Sequence, residues 1–154
     1  LHELDFEYCP IDVELTESSL IENEQLALSV IQQFSQMGAQ IHLDDFGTGY
    51  SGLSCLDALA IDYIKIDKSF VSRVSEQKDS TILLDCVIEI AKKMSLSIVA
   101  EGVETKEQLE YLNRNQINLL QGYYFGKPVS YVEFIKFLLS KPKEEIRVYE
   151  EEKV

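Results

Sequence analysis

The stretch Ile41-His42-Leu43-Asp44-Asp45-Phe46-Gly47-Thr48-Gly49-Tyr50-Ser51, IHLDDFGTGYS, runs from apolar residues through two adjacent aspartates into a glycine-rich turn. The segment from Gln40 to Asp45 reads as a short buried strand that ends on acids. Adjacent aspartates repel, so a bare pair is costly. Successive strand residues also point to opposite faces, so both acids reach one rim only where the strand is ending. Gly47 and Gly49 supply such a break.

The same layout recurs on either side. Ile11 to Leu15, Asp62 to Asp67, Leu96 to Gly102 and Asn118 to Phe125 read as strands. Helical spacing lies between them: Leu26, Val30, Phe34 and Met37, stopped by Gly38; then Leu53, Leu56 and Leu59. Next come Ser80 to Met94, with Leu84, Val87, Ile88 and Ala91 apolar, and Leu109 with Leu112 behind a Thr105/Gln108 capping box. Val132, Ile135, Leu138 and Leu139 mark a last helix. Five βα units without a hairpin signal predict an α/β fold with a parallel sheet. Five units suit either an open doubly wound sheet or part of an eight-unit barrel of typically ~250 residues.

Each predicted strand ends on a polar residue: Glu14, Asp44 with Asp45, Lys65, Glu101 and Gln121. Parallel strands share one C-terminal rim, so these remote residues converge there. Such a density of carboxylates calls for cations, and oxygen ligands suit hard ions such as Mg²⁺, Mn²⁺ or Ca²⁺. A carboxylate bridging two ions would turn the Asp44/Asp45 repulsion into a use. Plainer readings exist for each residue. The aspartates could cap turns, Glu17 could decorate a helix start, and Glu104 could favour a helix N-terminus. Lys65 could snorkel at a strand edge. Tyr123, Tyr124 and Phe125 read most simply as core or barrel-wall aromatics, and His42 as a satisfied buried residue.

The chain has 154 residues, enough for one domain with a sizeable core. Its net charge of −13 argues against binding a DNA or RNA duplex, which needs a basic footprint. Cys9, Cys55 and Cys86 form no metal or disulfide framework and suit a reducing cytoplasm. No run approaches a membrane span, and the opening LHELDFEYCP lacks a signal pattern. It begins at Leu1 rather than Met, which suggests a piece of a longer protein. Residues 1–140 are expected to form the domain, and 141–154, KPKEEIRVYEEEKV, an acidic tail.

Taken together, ELTES (Glu14 to Ser18), DDFGTGYSGL (Asp44 to Leu53), IKIDKSFV (Ile64 to Val71), VAEGVET (Val99 to Thr105) and QGYYFGKPV (Gln121 to Val129) resemble the ordered motifs of EAL domains. These are bacterial phosphodiesterases of the second messenger cyclic di-GMP. The resemblance runs from about Ile11 to Leu139. It implies the fourth to eighth strands of a (β/α)₈ TIM-type barrel, with the Glu-Ala-Leu segment and an asparagine ligand preceding Leu1.

By resemblance, Glu14, Asp44, Asp45 and Glu101 are ligands of two Mg²⁺ or Mn²⁺ ions, with Asp44 bridging. Lys65 contacts the attacking water, Glu101 doubles as general base, Glu104 supports it, and Gln121 orients metal-bound water. Glu17 anchors the loop after the acid pair. Tyr123, Phe125 and Pro128 are the expected lining of a guanine pocket. The implied reaction is hydrolysis of cyclic di-GMP to linear pGpG, with this stretch alone weak or inactive for want of its missing ligands. The resemblance further implies a homodimer, with Phe46 to Leu53 near the interface, and upstream sensory or cyclase domains. A cytoplasmic location follows, with a parent protein that could be attached to the inner membrane. The alternative is a non-catalytic EAL-like domain that binds nucleotide or a protein partner. A phosphoacceptor receiver domain fits less well, because the acid pair is not on the first strand.

Overall fold

The computed structural model describes residues 11–22, 24–47, 59–75 and 81–140. The expected helix around Leu53 and Leu56 and the expected tail 141–154 lie outside the described residues.

Five strands form one parallel sheet in the order β1-β2-β3-β4-β5. They are β1 (Val13–Thr16), β2 (Ile41–Phe46), β3 (Tyr63–Ile66), β4 (Ser97–Ala100) and β5 (Leu119–Leu120). Each strand pairs with the next in sequence, which is the order of a barrel wall rather than of a doubly wound sheet. Helices α1 (Glu17–Glu22), α2 (Glu24–Gln36), α3 (Lys68–Val71), α4 (Ile82–Lys93), α5 (Lys106–Arg114) and α6 (Tyr131–Ser140) accompany them, with a 3₁₀ turn at Ser72–Ser75.

Strand residues Ile41, Leu43, Phe46, Ile64, Ile66, Ile98 and Ala100 are buried in one core with Leu84, Val87, Ile88 and Ala91 of α4 and Leu112 of α5. All four apolar positions expected on α4 therefore face the sheet. Burying each large side chain there contributes about 1.5–3 kcal/mol. The Thr105 capping box is present. Thr105 Oγ1 accepts the Gln108 N–H at 3.2 Å, and Gln108 Oε1 accepts the N–H of Thr105 at 3.0 Å and of Glu104 at 2.7 Å.

Two expectations are corrected. The stripe Leu26, Val30, Phe34 and Met37 is not the inner face of α2: Leu26, Phe34 and Met37 are exposed, and Ala27 with Ile31 is buried instead. Both stripes have helical spacing, and the small Ala27 lets the helix approach the sheet closely. The last strand is only Leu119–Leu120, not Asn118 to Phe125. Beyond it the chain turns, with Phe125 N–H donating to Gly122 O at 3.1 Å. Gly122 is required by space. A Cβ there would lie 2.1 Å from Val103 O, inside the pair of hydrogen bonds that tie Val103 to Gln121 and Tyr124. Tyr123, Tyr124 and Phe125 consequently stand exposed rather than in a core.

Candidate active site at the carboxylate rim

Lys65 sits on the central strand, flanked by the fully buried Ile64 and Ile66, and only 6% of it is exposed. It is therefore no edge lysine. Its ammonium has three N–H donors, and three carboxylates from three other segments meet it. Glu14 Oε2 of β1 lies at 2.8 Å, Asp44 Oδ1 of β2 at 3.2 Å, and Glu101 Oε1, just past β4, at 2.8 Å. Burial opposes the charge, but the hydrogen bonds Lys65 donates to Glu101, Glu14 and Asp44 outweigh it and hold the Lys65 pKa above the ordinary lysine range.

The aspartate pair is accommodated by a register shift, not by the end of the strand. Leu43 pairs with Ile64 and Phe46 with Ile66, so Asp44 and Asp45 together stand opposite Lys65. The extra residue takes positive φ, 57° at Asp45. Leu43 and Phe46 thus both reach the helix-side core, and neither aspartate is driven into it. The strand runs on through Phe46 and breaks at Gly47, whose φ is 89°. There the Gly47 N–H donates to Glu17 Oε2 at 3.1 Å, and Glu17 is 3% exposed. A buried carboxylate at the start of α1 thereby holds the turn that follows the acids.

The remaining expected residues separate from this cluster. Glu104 is drawn to Lys68, with which it forms an ion pair. Gln121 continues β5, its backbone bonded to Ala100 and Val103. Gln121, Tyr123 and Pro128 line a cavity of about 360 Å³, and Phe125 does not; it packs edge-on against Tyr124. Lys127, which the sequence reading passed over, lines the same cavity, its ammonium 5.6 Å from the Tyr123 ring centre. A lysine between Gly126 and Pro128 directly after an aromatic run was the available signal. A larger cavity of about 840 Å³ lies at the opposite end of the sheet, beside Tyr63, Ser97 and Leu119 at the strand starts, away from the carboxylates.

His42 is a further correction. Its ring stacks on Tyr63 at 4.3 Å, yet its buried Nε2 has no hydrogen-bond partner. Asp12 Oδ2 is 3.6 Å away, too far for a hydrogen bond.

Among the described residues, no three His, Cys, Asp or Glu side chains are gathered to hold an ion as they stand. The Lys65 ammonium occupies the point where Glu14, Asp44 and Glu101 converge. Three carboxylate oxygens around one positive charge are nonetheless a hard-cation donor set, with Lys65 standing in as the cation.

The EAL domain family profile matches residues 6–128. This chain belongs to the EAL domain family. The cyclic di-GMP phosphodiesterase PdeR of Escherichia coli K12 is 56% identical over 134 residues, which cover 87% of this chain and 20% of PdeR. The EAL domain of Mycobacterium smegmatis DcpA superposes with TM-score 0.81 at 33% identity, covering 90% of this chain and 62% of that one. Klebsiella pneumoniae BlrP1, solved with manganese and cyclic di-GMP, superposes with TM-score 0.67 at 33% identity, covering 75% and 29%. EAL domains are TIM barrels, so the parallel five-stranded sheet is a portion of such a barrel. The chain spans a fifth of PdeR. Among the described residues, no helix of this EAL chain is long and apolar enough to cross a membrane.

Proposed function

We propose that this EAL chain supplies the catalytic rim of a metal-dependent phosphodiesterase that hydrolyses cyclic di-GMP to linear pGpG. The observation that carries this reading is the meeting of Glu14, Asp44 and Glu101 at one buried cationic point. PdeR's activity and the manganese and cyclic di-GMP bound by BlrP1 support it.

Glu14, Asp44, Asp45 and Glu101 would hold two Mg²⁺ or Mn²⁺ ions. Such ions, when bound, polarise the phosphodiester and lower the pKa of the attacking water. Lys65, once one of its N–H donors is free, would donate it to that water. Glu101, adjacent to Lys65, takes the proton the water loses. Glu17 keeps the backbone after Asp45 in place through Gly47. Gln121 would orient water from the cavity it lines with Tyr123 and Pro128, and Glu104 steadies the turn after Glu101 through Lys68. Tyr123 and Pro128 offer a face for a guanine, Lys127 a charge for phosphate, and Phe125 buttresses this wall through Tyr124.

The short coverage of PdeR supports further domains, sensory or cyclase, in the parent chain. A homodimer through the segment Phe46 to Leu53, and a cytoplasmic setting, belong to the same reading.

The test is chromatographic. The domain at full barrel length is incubated with cyclic di-GMP and Mg²⁺ or Mn²⁺, beside the 1–154 chain. Conversion to pGpG by the full barrel alone is expected. Nucleotide binding without product by the full barrel would instead mark a sensor.

A further inference from the structure

We propose that Lys65 is an internal counter-cation that competes with divalent ions for Glu14, Asp44 and Glu101. Metal loading, on this proposal, is what releases the ammonium to act on substrate. The inference rests on the reading above that this rim takes divalent cations, and adds what those ions must compete with.

An ammonium has three protons to donate, and here each meets a different carboxylate. No donor is left for a water or a phosphate oxygen. The arrangement therefore excludes the contact that catalysis asks of Lys65. The carboxylates it holds, through Glu14 Oε2, Asp44 Oδ1 and Glu101 Oε1, are among those read above as ion ligands. An ion drawn to the same carboxylates meets a like charge already seated among them. Lys65 is only 6% exposed and lies on the central strand, so its head stays beside the carboxylates. Without the ammonium, three carboxylates would face one another with no compensating charge, and they would repel. Lys65 thus serves as counter-ion to the three carboxylates, and would be freed for substrate where divalent ions take over that role.

The domain at full barrel length tests this without reading activity. Calorimetric titration with Mn²⁺ should show tighter binding by Lys65→Met than by the wild type, by roughly tenfold or more, because a competitor and a like charge are both removed. In EDTA the same variant should melt at lower temperature than wild type and gain more on adding Mn²⁺. Should the variant fail to fold, nitrogen-edited NMR of the wild type reads the same event. The Lys65 ammonium should give a slowly exchanging signal in EDTA that shifts or is lost on saturation with Mg²⁺. Equal or weaker Mn²⁺ binding by the variant, or a Lys65 signal unmoved by Mg²⁺, overturns the proposal while leaving the phosphodiesterase reading intact. A wild type that binds no Mn²⁺ overturns both.

Discussion

Glu17 Oε2 accepts the backbone N–H of Gly47 at 3.1 Å, joining the first turn of α1 to the turn that closes β2. The bond fixes the chain immediately after Asp44 and Asp45. It couples the position of the acids to a buried carboxylate on a different element.

Replacing Glu17 by Ala should leave the Gly47 amide without this acceptor and cost about 1–3 kcal/mol. Urea unfolding measures that loss. Turnover should fall further than stability alone explains, because the bulge at Asp44 and Asp45 loses its hold. Glu17→Gln, which keeps an acceptor oxygen, should recover much of both.

Gly122→Ala should destabilise the domain by about 2–3 kcal/mol, through overpacking. The new Cβ would meet Val103 O at 2.1 Å and Val103 N at 2.3 Å, both backbone atoms that cannot step aside. Gly126→Ala, where a Cβ meets nothing within 4 Å, is the control and should be close to neutral. Thermal melts of the two variants separate a spatial requirement from a general intolerance of this turn.

Lys65 has a sign-definite pH behaviour. Its folded pKa is raised above the ordinary 10.5, so the stability it confers is fully present below 10.5 and is lost only as pH rises through the folded value. The difference in unfolding free energy between wild type and Lys65→Met should therefore be flat from about pH 7 to 10. A gap that closes between about pH 8 and 10 would mean that Lys65 sheds its proton in the working range.

Much of this arrangement could be read from the sequence. Strand after strand ends on a polar residue, and parallel order brings those ends together, so Glu14, Asp44, Lys65 and Glu101 could be placed on one rim before any coordinates. The four inward positions of α4 were legible because Leu84, Val87, Ile88 and Ala91 form a single apolar stripe. On α2 two stripes compete, and periodicity cannot say that Ala27 and Ile31 win over Leu26 and Phe34. The shift that sets Asp44 and Asp45 opposite one lysine depends on pairing with β3, a long-range fact that local pattern does not carry. The shortness of β5 likewise follows from the closeness of Gly122 to Val103 on another segment. Glu104 shows the limit for charges: its partner Lys68 is fixed by where the start of α3 meets the loop after β4, not by spacing along the chain.

The central claim is that carboxylates from separate strands hold divalent cations at this rim. Its most direct test is calorimetric titration of the full-length barrel with Mn²⁺, comparing the wild type with Asp44→Asn. Two bound ions are expected for the wild type, and a loss of affinity of at least about tenfold in the variant, since one carboxylate charge of the cluster is gone. Identical isotherms for the two proteins, or no binding by the wild type, would contradict it.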